Sequence, residues 1–193
     1  NMATLFVDKI DPQSGTSLEI GSSGDTITTA TGAKPSFLYP AFSALASGGQ
    51  QNLSDATETL VVYDHKVFDT DNCFDNTAGN YKFTPNLAGK YFLYFVLDAY
   101  SRTDDKMIKA GGRLYKNGAR INSTLYNLDQ GGSSGITAHA LPITQGFMVE
   151  ANGSSDYFQV KVYIDVSSGT GPAIYGNTLT SQNVTFAGYR IGT

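Results

Sequence analysis

The chain has 193 residues, of which 16% are charged, with 13 Lys and Arg against 17 Asp and Glu for a net charge of −4. Gly, Ser, Thr and Asn exceed a third of it. That load weakens helix interiors and excludes a bundle or coiled coil, while 12 Tyr and 11 Phe exclude disorder over most of the length. Residues 3–33 are Thr-, Ser- and Gly-rich with thin apolar alternation (Leu5, Val7, Leu18, Ile20, Ile27) and turn signals at 11–15 and 21–25. Strands this short cannot form a sheet alone. Two readings fit: a linker without fixed structure, or a short β shaft that three chains fold together. The second is the expectation for residues 1–34.

From Pro35 onward the strand signal strengthens. Short strands are expected at 59–63 and 66–68, followed by a turn-rich stretch at 69–79. Lys82 and Phe83 lead through Pro85 and Gly89 into the main strand at 90–100. Its apolar residues fall on both faces, as in a strand sandwiched between two layers. Residues 112–115 turn through Asn117-Gly118, whose tolerance of positive φ makes it the strongest short hairpin signal. Strands at 136–143, 147–151, 157–166 (with Gln159 and Lys161 on one face) and 184–191 complete the set. The expectation is an all-β sandwich or barrel.

The acidic balance argues against nucleic acid, which needs a basic face to neutralise phosphates. The longest apolar run, 91–97, is too short to cross a bilayer, so no membrane insertion is expected. The start shows no basic, apolar leader pattern, and Asn1 before Met2 reads as a remnant of cloning.

Enzyme signatures fail on context. Gly131-Gly132-Ser133-Ser134-Gly135 matches G-x-S-x-G, but that elbow needs a strand before it, a helix after it and a distant His. With two His, His65 and His139, a three-His metal site is impossible. The lone Cys73 allows no internal disulfide and no cysteine metal site; a small buried or turn residue is expected. The carboxylates at Asp69, Asp71 and Asp75 alternate as in calcium loops, without the Gly and closing Glu of an EF-hand, so a solvated turn is the expectation. No catalytic, cofactor-binding or metal residue is therefore assigned. Asn52, Asn122, Asn152 and Asn183 head N-x-[ST] triplets of the kind chance supplies in such a composition. Arg102, Lys106, Lys109, Arg113, Lys116 and Arg120 form a basic run, read either as a solvated face or as a patch for an acidic surface or anionic glycan.

Several stretches together go further. Lys82 to Phe95 (K-F-T-P-N-L-A-G-K-Y-F-L-Y-F) resembles the F-x-x-P-x-x-G-x-Y-x-F-x-F strand of the complement C1q/TNF-like jelly roll. Leu114-Tyr115-Lys116-Asn117-Gly118 resembles its L-x-K-N-G hairpin, and Phe186-Ala187-Gly188-Tyr189-Arg190-Ile191 its closing strand. Ala41-Phe42-Ser43 fits the opening strand. Asp156-Tyr157 fits a late turn in which Ser155 replaces the usual Gly and Phe158 the Val. The resemblance implies a jelly roll of about ten antiparallel strands over residues 35–193, assembled as a homotrimer with the rings of one sheet at the threefold axis.

Residues 3–10, A-T-L-F-V-D-K-I, followed by S-G-T-S at 14–17, resemble the start of marine and cyanobacterial phage fibre proteins that carry a C1q-like head. This implies a virion protein assembled in the host cytoplasm: a trimeric tail fibre or spike. Residues 1–34 would meet other virion proteins, and the head would bind a host surface glycan or outer-membrane protein. Loops at 69–80, 102–109, 128–135 and 167–182 would present the contacts. The alternatives are a capsid decoration, cement or head-fibre protein, or a carbohydrate-active enzyme, for which no carboxylate pair stands out.

Overall fold

The structure is a computed structural model, and it describes residues 10, 14–15, 18, 20–26, 40–103, 106–128, 137–176 and 184–192. The chain divides into two compact units, Asn1–Ser36 and Phe37–Thr193. In the first, the expected turn at 21–25 is present: Asp25 N–H donates to the Ser22 carbonyl at 3.0 Å, and the Asp25 carboxylate accepts from Ser22 N–H at 2.7 Å. Leu5, Val7 and Ile27 lie outside the described residues.

The second unit is all β. Its strands are β1 (Ala41–Leu45), β2 (Gln50–Asn52), β3 (Thr59–Leu60), β4 (His65–Asp69), β5 (Phe74–Asp75), β6 (Lys82–Phe83) and β7 (Ala88–Tyr100). There follow β8 (Met107–Lys116), β9 (Ala119–Asn127), β10 (Ala140–Asn152), β11 (Phe158–Val166), β12 (Ala173–Tyr175) and β13 (Thr185–Gly192). The first sheet orders β4, β1, β13, β7 and β10 side by side, and β12, paired to β7 at residues 99 and 100, continues to β2. The second orders β5, β6, β11, β8 and β9, with β3 also on β11. Every pairing is antiparallel.

The core fills the space between the sheets. From β7 it takes Tyr91, Leu93, Phe95, Leu97 and Ala99, and from β11 Phe158, Val160, Val162 and Ile164. Gly112 of β8 explains how closely the layers approach: a Cβ there would lie 2.2 Å from the Phe95 ring. At the β8–β9 turn Asn117 has φ 53° and Gly118 φ 80°, the double left-handed geometry expected of Asn-Gly. Asp156 locks this corner, accepting from Asn117 Nδ2 at 2.7 Å, Asn152 N–H at 2.9 Å and Lys116 Nζ at 2.9 Å. Burial pushes the Tyr91 hydroxyl up to about 12, while its proton goes to the Leu87 carbonyl at 2.6 Å.

Three elements differ from the sequence reading. Residues 90–100 are not covered on both faces by this chain: burial alternates strictly along β7. The expected strand at 59–63 is regular only over Thr59–Leu60, although Val61 N–H still reaches the Val160 carbonyl and Val61 and Tyr63 are fully buried. The two strands expected at 136–143 and 147–151 are joined in one, β10. Pro142 lies inside it because β10 is an edge of its sheet, where a missing N–H costs no ladder bond.

Tyr63 carries an uncompensated cost. Its hydroxyl is buried without a hydrogen-bond partner, and burial raises it well above the usual phenol range. Tyr63→Phe keeps the ring and removes the orphan group, so unfolding in urea should show a gain of about 1 kcal/mol; a loss of that size would mean the hydroxyl is bonded.

Candidate functional site

The outward face of the first sheet is an aromatic surface. Along β7 the alternation sends Phe92, Tyr94, Val96, Asp98 and Tyr100 outward, all partly exposed. The register sets Phe92 between Tyr189 and Met148, and Tyr94 between Ala187 and Gly146. Phe92 lies 6.2 Å from the Tyr94 ring and 5.8 Å from that of Tyr189. A Cβ on Gly146 would come within 2.8 Å of Phe92, so the Phe92 ring lies over a position that carries no side chain. Met148 is 74% exposed, and Phe68, Tyr189 and Ile191 are exposed with it. Monomers seldom leave such a patch open to water.

This face continues around the open edge of the sandwich. Between β9 and β10 a groove of about 480 Å³ is lined by Leu114, Ile121, Asn122, Phe147 and Met148. A second hollow of about 390 Å³, bounded by Lys90, Val149 and Ile191, shares Met148 with it. β9 is exposed along nearly its whole length, with Ile121, Leu125 and Tyr126 in solvent.

Asp98 is a carboxylate on the aromatic face. Burial raises the Asp98 carboxyl above the usual range, against a hydrogen bond from Tyr100 Oη at 3.1 Å that lowers it. The folded value exceeds the unfolded one, so the penalty exists above the folded value and vanishes below the unfolded one. Asp75 and Asp156 have the opposite sign: the Thr77 side chain and the Asn117 amide, respectively, hold them below the usual range. Their stabilisation is lost as pH falls. Asp98→Asn should therefore raise the melting temperature at neutral pH, with the gain shrinking towards about pH 3 as Asp98 itself becomes neutral. Thermal melts of both proteins at the two pH values check this; an equal gain at both would remove ionisation as the cause.

The residues singled out from sequence take structural places. Cys73 is buried, its thiol pushed up chiefly by burial. Asp69 and Asp75 of the 69–75 stretch serve the local turn. Asp69 accepts from the N–H groups of Cys73 and Phe74 and from Lys66, and Asp75 from Thr77 and Asn80. Among the described residues no three His, Cys, Asp or Glu come together as a metal site. Ser133 and its glycines, most of the 128–135 loop, residues 177–182 and Asn183 lie outside the described residues. His139 packs its ring edge-on to Tyr100 at 5.7 Å.

The basic run disperses. Arg102 donates to the Thr170 carbonyl, Lys109 pairs with Asp165 and Lys116 with Asp156. Arg113 and Arg120 converge on Glu58, each within ion-pair distance. Lys161, placed on one face with Gln159 by alternation alone, joins them from β11; no local signal in the sequence links it to that run.

No protein-family model matches the chain, and no curated protein matches it either. Solved structures do. Murine APRIL at pH 8.0 is 10% identical with a TM-score of 0.51, covering 78% of this chain and 98% of its own. The globular domain of zebrafish complement 1qA is 18% identical (TM-score 0.49, 79% of this chain and 97% of that one). Eiger TNF from S. frugiperda is 9% identical (TM-score 0.49, 81% and 94%). With the two antiparallel sheets and their strand order, the likeness to APRIL defines the fold: the chain carries a C1q/TNF-like jelly roll.

Proposed function

We propose that the chain is a structural protein of a bacteriophage particle, a homotrimeric fibre or spike whose jelly-roll head meets the host cell surface. The observation that carries this reading is the outward aromatic face of the first sheet. Phe92, Tyr94, Tyr189 and Met148 form a continuous apolar surface, and rings of this size each bury roughly 150–250 Å² when covered. A closed cyclic assembly lets each copy cover the next and leaves no face open. The phage context rests on the sequence of residues 3–10 and the S-G-T-S sequence at 14–17, and residues 1–34 are assigned to contacts with other virion proteins. Threefold display of the head then turns weak single contacts into firm adsorption.

Light scattering on the purified chain at micromolar concentration should give the mass of three chains, with and without residues 1–34. A single-chain mass in both overturns the trimer. Purified protein should also compete with phage particles for adsorption to cells of the host. Binding to particle shells without binding to cells would instead make this a decoration protein.

A further inference from the structure

The outward face of the second sheet holds charges in an arrangement that needs explaining. Lys161 of β11 stands directly opposite Arg113 of β8 in register. Like charges across a strand pair repel, so other groups must hold them there. Two tyrosines do so. The Arg113 guanidinium carbon lies 4.6 Å from the Tyr163 ring centre, and Lys161 Nζ lies 4.3 Å from that of Tyr115. A ring attracts a cation through its quadrupole and carries no net charge. The tyrosines therefore position both cations without neutralising either.

Arg120 of β9 adds a third cation, its side chain half exposed. Among the described residues, Glu58 is the one carboxylate ion-paired to this group, bound to Arg113 and, at 3.2 Å, to Arg120. Lys161 has no ion pair there. Three cations thus share one carboxylate, a local surplus of positive charge on a chain whose net charge is −4. Beside them Gly111 lies between Tyr163 and the exposed Leu125 in register. It has to be glycine: a Cβ would meet the Thr124 carbonyl oxygen at 2.1 Å. Gly111 is itself buried, and the β9 backbone takes the place a side chain would occupy, which draws β9 and its Arg120 close to the other cations.

We propose that this face binds an anionic polysaccharide, whose acidic groups take the free charge of Lys161 and Arg120 beside the Glu58–Arg113 pair. Guanidinium and ammonium donors suit carboxylate and sulfate oxygens. A nucleic acid would demand many more phosphate contacts than three cations supply. The inference rests on reading the domain as a surface-recognition head and names its ligand. It places that ligand on the sheet opposite the proposed trimer face, which assembly leaves open.

The test uses the full chain and immobilised polymers: polygalacturonate as the carboxylated probe, dextran sulfate as the sulfated one, and neutral dextran as control. The variant is Lys161→Gln with Arg120→Gln, which keeps the Glu58–Arg113 pair and touches no core residue. The parent should bind one or both acidic polymers and not dextran, more weakly as salt rises. The double variant should lose about tenfold in affinity at an unchanged melting temperature and unchanged solution mass. Binding to neither acidic polymer at low salt, equal binding to dextran, or unchanged affinity in the variant overturns the proposal. Cell adsorption, measured in parallel, separates the two readings. Adsorption kept without polymer binding removes only the ligand, whereas adsorption lost in the parent removes the host-binding function.

Discussion

Phe42→Ala should lower the unfolding free energy by about 4 kcal/mol, read as a shift of the urea midpoint at unchanged slope. Phe42 is fully buried, stacked on Phe83 at 4.2 Å and on Phe74 at 5.1 Å, with Phe186 edge-on at 5.0 Å. Its partners come from both sheets, β5 and β6 of one and β13 of the other. The ring thus joins the two layers at the end of the sandwich where the strands are shortest. Its three neighbours are anchored on separate strands, so the cavity cannot collapse inward and the full cost of the void remains. Against a total stability of roughly 5–15 kcal/mol for a domain, such a loss leaves a marginal protein. Phe42→Leu should cost less than half as much. An alanine loss below about 1.5 kcal/mol would mean that the site repacks.

Tyr94→Lys should turn the proposed trimer into single chains. Tyr94 is central on the aromatic face, flanked in register by Ala187 and Gly146. In a cyclic trimer this one change brings three ammonium groups into an apolar interface, where an unpaired charge is strongly disfavoured. In the isolated chain the same lysine reaches water, and the core beneath it is untouched. Light scattering should therefore show the mass fall to one chain while the circular dichroism of the sheets persists. Lys161→Gln, on the other sheet, should leave the mass unaltered. A three-chain mass for Tyr94→Lys would exclude this face from the interface.

Much of the architecture was legible because local chemistry and global fold agree. Asn117-Gly118 admits one turn type, and the run through Tyr91, Leu93, Phe95 and Leu97 can lie only in a core. What escaped depended on partners distant in sequence. β2 and β12 have three residues each, and they are strands only because each offers the other a ladder beside β7. Gly146 fell in the gap expected between 136–143 and 147–151, yet the strand runs straight through it with the Phe92 ring overlying that glycine. The apolar outward residues of 90–100 suggested two covering layers, whereas one chain supplies a single layer. The second sheet's charged face was the least legible feature. Arg113 and Arg120 belong to the basic run, but Glu58 and Lys161 come from remote segments, and register alone assembles them.

The position of β13 has a consequence for synthesis. It is the strand between β1 and β7, with Ala41 opposite Tyr189 and Phe92 opposite that same tyrosine. The first and last strands of the jelly roll are therefore neighbours, and the first sheet stays in two pieces until the last strand has left the ribosome. At about 5–20 residues per second, the edge of β1 waits roughly 7–30 s for β13. A truncated product can neither close the core around Phe186 nor display Tyr189 beside Phe92. Arrival of β13 and formation of the aromatic face are therefore one event.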